Sequence, residues 1–313
     1  MAPPLERPST DQRSPASLGV LFCVVAGILY GTLVILGKLA YTTGITPLPL
    51  LFLRYTLAAA LMWAALAVID RRMLKLPRKQ RLVAIGLGLA YASQSYLYFV
   101  GFQTVDGAVT GLLFNTFPLH IALLAAIFLK EKLTREVVVA LALGVGGVAI
   151  TTRPAAGATD LSGPALILLS AFGYSCYVVA ARKATADLPS EAVAAHVFLG
   201  AALGFTTGAI AAGQLPTSVR LDSLAYALAL AVVATLLPIL LFLKGLKRIG
   251  AARAGVIGTM EPLVTVLLAA LVLGSVLGPF EVLGGAMIVV ASLLIHRAGL
   301  RRPGEAPAEL PRE

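Results

Sequence analysis

The chain has 313 residues, of which 58% are hydrophobic and only 13% are charged, and its mean hydropathy is +0.90. A soluble protein carries roughly 25% charged residues, so this composition excludes a soluble globular fold and indicates an integral membrane protein. The net charge of +10 does not indicate nucleic-acid binding, because the basic residues fall in short connections between apolar runs, where they would face lipid headgroups.

Ten apolar runs follow one another along the chain, and each is long enough to cross a bilayer, which takes about 20 mostly apolar residues. They are expected at 18–41, 48–69, 80–101, 104–128, 135–152, 162–183, 190–212, 222–243, 250–274 and 280–296. The polar segments over 1–17 and 297–313 flank these runs and are expected to be disordered cytoplasmic tails.

Basic residues mark every second connection between the apolar runs. The connection over 71–81 is the richest, and all of the 25 Lys and Arg residues except Lys38, Arg54, Arg153 and Arg220 fall on one side. Since cytoplasmic connections carry an excess of Lys and Arg, we expect an even number of spans with both termini in the cytoplasm. This arrangement is that of a multi-pass protein of the bacterial inner membrane.

The two halves of the chain are similar in sequence. Residues 97–153 align without a gap to 241–297, at an offset of 144 positions and with paired prolines and glycines. The halves are therefore expected at 18–152 and 162–296. Because each half contains five helices, an odd number, the second half would enter the membrane from the opposite face. Such inverted-topology repeats recur in secondary transporters, with a site near mid-membrane where the halves meet.

Several local motifs accompany the repeat. They are Gly27-Ile-Leu-Tyr-Gly31 and Lys38 in the first helix, Arg54 early in the second, Pro118 through Glu131-Lys132-Leu133, and Glu261-Pro262 through Leu273-Gly274. Together they resemble the EamA-type, ten-helix members of the drug/metabolite transporter superfamily, and the chain is similar to YddG-type exporters of aromatic amino acids. The resemblance implies an all-α integral membrane fold of ten transmembrane helices, arranged as two inverted-topology five-helix repeats around a central cavity. It also implies export of amino acids or related metabolites.

The third helix carries polar and aromatic side chains on one face. At 100° per residue, Tyr91, Gln94, Ser95 and Tyr98 lie together. Polar groups inside a membrane usually face a cavity or a partner, because exposure to lipid is costly. We therefore expect these side chains to line a substrate cavity. The alternatives are an interfacial aromatic position for Tyr98 and helix packing for the serines.

A second group of candidates clusters in the fourth helix, at Asn115, Pro118 and His120. Proline removes a backbone hydrogen bond, and Pro262 repeats Pro118 in the second half. Both prolines are therefore expected to be hinges at the centre of the bundle, and the alternative is a packing kink without motion. Asn115 is expected to face the cavity. His120 is a further cavity candidate that could titrate near neutral pH, or it could be a neutral histidine bonded between helices.

Glu261 is an acidic residue inside the ninth apolar run, directly before a proline. A carboxylate in this position could bind a proton or an amine in the cavity, or it could lie near an interface or bond another helix. Tyr30, Tyr174 and Tyr177 are expected as cavity aromatics. Arg54, towards the outer side, could attract a substrate carboxylate or pair with a helix end.

The favoured interpretation is a secondary transporter that exports amino acids or related small metabolites by alternating access. An alternative within transport is efflux of cationic amphiphiles, with Glu261 as the cation-binding acid. An alternative of another class, an intramembrane lipid-modifying enzyme, would need a nucleophile with a base or a metal cluster, and the sequence contains neither pattern. It also has no P-loop for ATP. We expect no enzyme activity, cofactor or metal, and a monomer whose partners are membrane lipids and a small-molecule substrate.

Overall fold

The computed structural model describes residues 15–128, 134–152, 160–185, 188–258 and 260–300. Regular structure in these ranges is helical throughout, without a strand. The α-helices are α1 (Pro15–Gly31), α2 (Leu33–Tyr41), α3 (Pro47–Ile69), α4 (Arg78–Gly101), α5 (Gly107–Phe114), α6 (Phe117–Phe128), α7 (Arg135–Thr151), α8 (Ser162–Ala184), α9 (Ser190–Ala211), α10 (Leu221–Ala231), α11 (Leu237–Gly258), α12 (Met260–Leu273) and α13 (Pro279–Leu300). A 3₁₀ turn at Arg71–Leu74 precedes α4, and a π-helical turn at Val232–Leu236 joins α10 to α11.

Eight helical segments in the described ranges are long and apolar enough to cross a membrane. They are Ser17–Tyr41, Pro47–Ile69, Arg78–Gly101, Gly107–Phe128, Ser162–Ala181, Ser190–Ala211, Leu221–Ile249 and Pro279–Arg297. Two of the ten expected runs give shorter helices, because α7 has 17 residues and α12 has 14. The chain is therefore a multi-pass membrane protein in which two expected spans correspond to short helices.

Two of the expected runs are each divided into two helices. The fourth run begins only at α5, where the Asp106 carboxylate accepts a hydrogen bond of 2.8 Å from the Ala108 amide and caps the helix. It is interrupted at Asn115 and Thr116, because Pro118 has no N–H to bond the carbonyl four residues earlier. The first run is divided at Thr32, whose hydroxyl donates to the Leu29 carbonyl oxygen at 2.6 Å.

The eighth and ninth runs differ most from expectation. A connection was expected between 243 and 250, but α11 continues through this segment to Gly258. The segment is rich in Leu, Lys and Arg, which favour helix, and it contains no proline to end one. At the chain ends, 15–17 and 297–300 are helical rather than disordered as expected, and the rest of both expected tails lies outside the described residues.

Helices of one half pack mainly on helices of the other. α1 packs along α11, α4 along α8 and α9, and α7 along α13. The offset of 144 positions relates α1 to α8 and the end of α4 to the start of α11. The α1–α11 contact and the α8–α4 contact are therefore equivalent by sequence. The outer faces of the bundle expose large apolar side chains such as Val68, Val145 and Leu271, as expected for surfaces in contact with lipid.

Pairs of glycines occupy the two equivalent crossings. A Cβ added to Gly101 in α4 would lie 2.9 Å from the Gly163 carbonyl oxygen in α8. A Cβ added to Gly245 in α11 would lie 2.9 Å from the Gly19 carbonyl oxygen in α1. The absence of side chains lets the backbones approach closely, as is common where membrane helices cross. The two crossings are related by the same offset, since Gly19 corresponds to Gly163 and Gly101 to Gly245.

Candidate functional site

A cavity of about 620 Å³ lies between the two halves. Its walls come from α1 to α6 and from α8, α9, α11, α12 and α13, together with the π-helical turn. Small-molecule sites in proteins usually have volumes of about 300–1,000 Å³, so this cavity has room for a metabolite. It is the candidate functional site.

Most residues proposed from the sequence lie on the cavity wall. They are Tyr30, Tyr91, Gln94, Ser95, Tyr98, Asn115, Tyr174, Tyr177 and Glu261, together with the two prolines Pro118 and Pro262. The 3.6-residue period brings the four candidates of α4 to one side, and the crosswise packing of the halves brings the others to face them. The cavity therefore collects residues that are up to 273 positions apart, from Cys23 to His296.

Aromatic rings form one continuous part of the wall. The Tyr91 ring centroid lies 5.1 Å from that of Tyr177, 6.3 Å from that of Tyr174 and 6.0 Å from that of Tyr55. Phe117 extends the row, with its ring centroid 5.1 Å from that of Tyr174. Ring edges and faces in this arrangement can contact apolar groups and can attract cations.

Two of the candidates on α4 also make contacts between helices. Ser170 of α8 donates hydrogen bonds to the Gln94 carbonyl oxygen at 2.8 Å and to Gln94 Oε1 at 3.0 Å. The Ser95 hydroxyl lies 3.0 Å from the Tyr55 hydroxyl of α3. Both residues are buried, so they line the cavity and hold its wall together at the same time.

His120 is not a cavity residue in this structure, which corrects the expectation from the sequence. It lies on α6 with its ring centroid 5.9 Å from that of Phe172 on α8. The neighbouring Pro118 does line the cavity, and a residue two positions further along a helix lies roughly 200° around its axis. The break at Asn115 and Thr116 sets this register. Its place against α8 agrees with the alternative of a histidine between helices.

Glu261 lies in the first turn of α12 and faces the cavity. The carboxylate is at the positive end of the helix dipole, which favours an anion there. The ion pairs found among the described residues, Arg220–Asp222 and Lys247–Glu191, do not include it. Its backbone carbonyl accepts a hydrogen bond of 3.0 Å from the Thr265 hydroxyl, and this fixes the turn. A carboxylate open to the cavity can bind a proton or a cationic group.

Arg54 has a position that the sequence did not indicate. It was expected towards the outer side, yet its side chain is 1% exposed and lines the cavity. Its Nε donates a hydrogen bond of 2.9 Å to the Thr235 hydroxyl. An arginine inside an apolar run is itself a signal of a functional or paired site. Thr235 carried no such signal, because its role depends on the π-helical turn.

The cavity extends towards one end of the bundle, and aromatic side chains pack together at the other. On the end where α8 and α13 finish and α9 begins, Thr185, His296 and Ser190 line it. At the opposite end, the Tyr41 hydroxyl donates to the Phe99 carbonyl oxygen at 2.7 Å, and aromatic rings meet there. We call these the open end and the closed end.

The chain matches the family model described as the EamA-like transporter family twice, over residues 17–153 and over residues 161–297. Each match covers one of the two similar halves. The resemblance that the sequence motifs indicated is therefore confirmed.

Individual relatives are also transporters. The uncharacterized transporter YcbK of Bacillus subtilis strain 168 is 28% identical over 294 residues, which is 89% of this chain and 93% of the relative. The threonine/homoserine exporter RhtA of Escherichia coli strain K12 is 26% identical over 220 residues, which is 70% of this chain and 72% of the relative.

The fold is also found in a solved crystal structure. It superposes with a TM-score of 0.66 at 21% sequence identity and covers 91% of this chain and 98% of its own. At this identity the likeness concerns the fold alone. Two matches to one family model, which together cover most of the sequence, show that the chain belongs to the EamA-like transporter family and is a membrane transporter built from two EamA repeats.

Proposed function

We propose that this transporter exports amino acids or related small metabolites across the bacterial inner membrane by alternating access, without ATP. The observation that carries the proposal is the cavity of about 620 Å³ between the two repeats, with aromatic rings and the carboxylate of Glu261 on its wall. In a purely structural membrane protein this space would be filled by apolar side chains, because packed interiors contain few voids.

The proposed topology has ten transmembrane helices in two inverted repeats, with both termini in the cytoplasm. The crosswise packing supports it, because the Gly19–Gly245 crossing lies near the open end and the equivalent Gly101–Gly163 crossing lies near the closed end. Equivalent contacts at opposite ends are the result expected when one repeat is turned over relative to the other. In this topology the open end faces the cytoplasm.

Alternating access follows from the same relation. Tyr41, Phe99 and Phe102 come together at the closed end. Their counterparts at the offset of 144 all line the cavity near the open end: Thr185, Leu243 and Leu246. If the two repeats exchange conformations, the second group comes together while the first separates, and the cavity then opens to the other side of the membrane.

The cargo class rests on the cavity chemistry and on one relative. Glu261 provides a carboxylate for an ammonium group, and the rings of Tyr91, Tyr174 and Tyr177 provide apolar contact and cation–π attraction. A relative named as an exporter of threonine and homoserine supports an amino acid as cargo.

Efflux of cationic amphiphiles remains the second candidate function, because a carboxylate among aromatic rings also suits a bulky cation. The two candidates differ in what they require at the other charged residue of the wall. A cationic cargo is repelled by the buried Arg54, whereas an amino acid carries a carboxylate that a guanidinium attracts.

Counterflow in liposomes tests the proposal. Purified protein is reconstituted with unlabelled amino acid inside, and uptake of the same radiolabelled amino acid is measured beside sugars and cationic dyes. We expect uptake of at least one amino acid above the level of protein-free liposomes, and accumulation of dye alone would instead establish the second candidate.

Glu261→Gln tests the proposed acid, because the amide has nearly the same shape and cannot take up a proton. We expect the variant to lose the pH dependence of wild-type transport. Glu281→Gln, a matched change on α13 at a residue that does not line the cavity, should keep it. An unchanged rate and pH profile in the Glu261 variant would remove this residue from the site.

A further inference from the structure

Arg54 is a buried cation without an anionic partner in the described part of the chain. Its side chain is 1% exposed, and the two ion pairs found there are Arg220–Asp222 and Lys247–Glu191. An arginine stays charged in proteins, and a buried charge without a counter-charge is strongly unfavourable. Its retention on the wall of a cavity indicates that a counter-charge enters with a ligand.

The Arg54 guanidinium lies over two aromatic rings, and part of its hydrogen-bonding capacity is unused. The central carbon Cζ lies 4.8 Å from the Tyr55 ring centroid and 5.3 Å from the Phe99 ring centroid. Nε is engaged with Thr235, whereas the buried Nη1 has no hydrogen-bond partner among the described residues. A guanidinium carries five N–H donors. The unpaired Nη1 belongs to the terminal edge of the guanidinium, which is the edge that matches a carboxylate in bidentate pairs.

The π-helical turn sets the direction of this edge. Thr235 lies within the turn, and its hydroxyl donates a hydrogen bond of 2.8 Å to the Leu230 carbonyl oxygen five residues earlier. With its proton committed to Leu230, the hydroxyl oxygen can only accept from Arg54 Nε. Single π-helical turns inside α-helices are frequent at functional sites. Thr235 thus acts as a positioning residue for the guanidinium.

We propose that the terminal edge of Arg54 binds the carboxylate of the cargo, with Thr235 holding the guanidinium in register. The inference rests on the proposed function and narrows it, since it requires an anionic carboxylate on the transported molecule. Arg54 on α3 and Glu261 on α12 then provide opposite charges on one aromatic-walled cavity. This combination suits a zwitterionic amino acid and disfavours a simple cation.

Matched pairs of probes test the proposal. Inhibition of radiolabelled threonine counterflow is measured with unlabelled L-threonine and with L-threoninamide, in which a neutral amide replaces the carboxylate. Thermal protection of the purified protein is measured with 3-methylbutanoate and 3-methylbutanamide, which lack an amino group. We expect wild type to prefer the carboxylate of each pair by about tenfold or more, since hydrogen bonds to charged groups are strong.

The variants assign that preference to particular atoms. Arg54→Gln should abolish it, Arg54→Lys should keep the charge and only part of the preference, and Thr235→Val should reduce it severalfold. Thr206→Val is the matched control, because Thr206 on α9 also donates to a backbone carbonyl, at 2.7 Å, but does not line the cavity. It should leave the preference unchanged.

Several outcomes would overturn the proposal. One is an equal response of the wild-type protein to the acid and the amide of a pair. Another is an undiminished preference for the carboxylate in a folded Arg54→Gln protein. Where the Gln variant does not fold, full preference in Arg54→Lys has the same meaning. If no amino acid is transported, the proposed function fails, and the methylbutanoate pair still decides the inference. Protection by the acid alone supports a carboxylate site, whereas equal or absent protection rejects it.

Discussion

The open and closed ends of the cavity use equivalent positions of the two repeats but different side chains. The closed end joins Tyr41, Phe99 and Phe102 through ring contacts of 4.6–5.5 Å and through the hydrogen bond from Tyr41 to the Phe99 carbonyl. At the open end the equivalent positions carry Thr185, Leu243 and Leu246, which line the cavity. Comparing the two ends therefore separates the contribution of backbone packing to the closure of an end from the contribution of its side chains.

Helix packing is similar at the two ends, since equivalent glycine pairs bring the backbones together at each crossing. Aromatic pairs add about 0.5–1.5 kcal/mol beyond the area they bury, and the aliphatic counterparts lack this contribution. Under the proposed exchange of conformations, the difference teaches that two related halves need not give their two conformations equal energies. In that proposal, the aromatic side chains of the first repeat favour the conformation in which Tyr41, Phe99 and Phe102 meet.

Cross-linking across each end should have the largest effect. In a Cys23→Ala, Cys176→Ala background, cysteines at Tyr41 and Phe102 should react rapidly with a short thiosulfonate cross-linker and stop counterflow almost completely. Cysteines at Thr185 and Leu246 should cross-link slowly without cargo and faster with it, and should then also stop counterflow. Transport at the wild-type rate in either cross-linked protein would refute the exchange of conformations. Reduction of the cross-link is the control for irreversible damage.

Filling the helix crossings should have the next largest effect. Gly101→Leu and Gly245→Leu should each lower the free energy of unfolding by about 1–3 kcal/mol, because the added side chain meets backbone atoms of the opposite helix. Thermal melting of the detergent-purified protein provides the measurement. Gly86→Leu is the control, since a Cβ at this position meets nothing within 4 Å. A large loss of stability at only one crossing would show that the two ends are not equivalent.

A milder change separates the hydrogen bond at the closed end from the rings. Tyr41→Phe removes the hydroxyl that donates to the Phe99 carbonyl oxygen, which is worth about 1 kcal/mol. We expect a severalfold increase in the reactivity of a cysteine placed at Phe102, as the closed end opens more often. Tyr96→Phe, at an exposed tyrosine of α4, should leave that reactivity unchanged, and equal effects of both variants would contradict this role of Tyr41.

The smallest effect concerns ion pairs at the surface. Lys247 lies 2.6 Å from Glu191, with side chains 57% and 16% exposed, and Arg220 lies 2.7 Å from Asp222. Exposed pairs contribute about 0–1 kcal/mol, so Lys247→Gln and Arg220→Gln should shift the melting temperature little and less still at high salt. A salt-independent fall of several degrees in the melting temperature of Lys247→Gln would show that the Lys247–Glu191 pair helps to close the end of the bundle where it lies.

Several features of the site were predictable from local pattern. The helical period places Tyr91, Gln94 and Tyr98 on one face, and these residues do line the cavity. Glu261 was a candidate because an acid in an apolar run needs a cavity or a partner, and it faces the cavity. His120 was misassigned because Pro118 lines the cavity and a residue two positions further along α6 lies on nearly the opposite side of the helix.

Composition, the apolar runs and the repeat at an offset of 144 were sufficient to identify a helical membrane protein with two related halves, and the family match confirms this identity. These properties are encoded locally, because every span must satisfy its own backbone hydrogen bonds in lipid. The pairing of Arg54 with Thr235 and the difference between the two ends were decided only by tertiary structure. They depend on which side chains meet across helices distant in sequence, and local periodicity contains no information about such contacts.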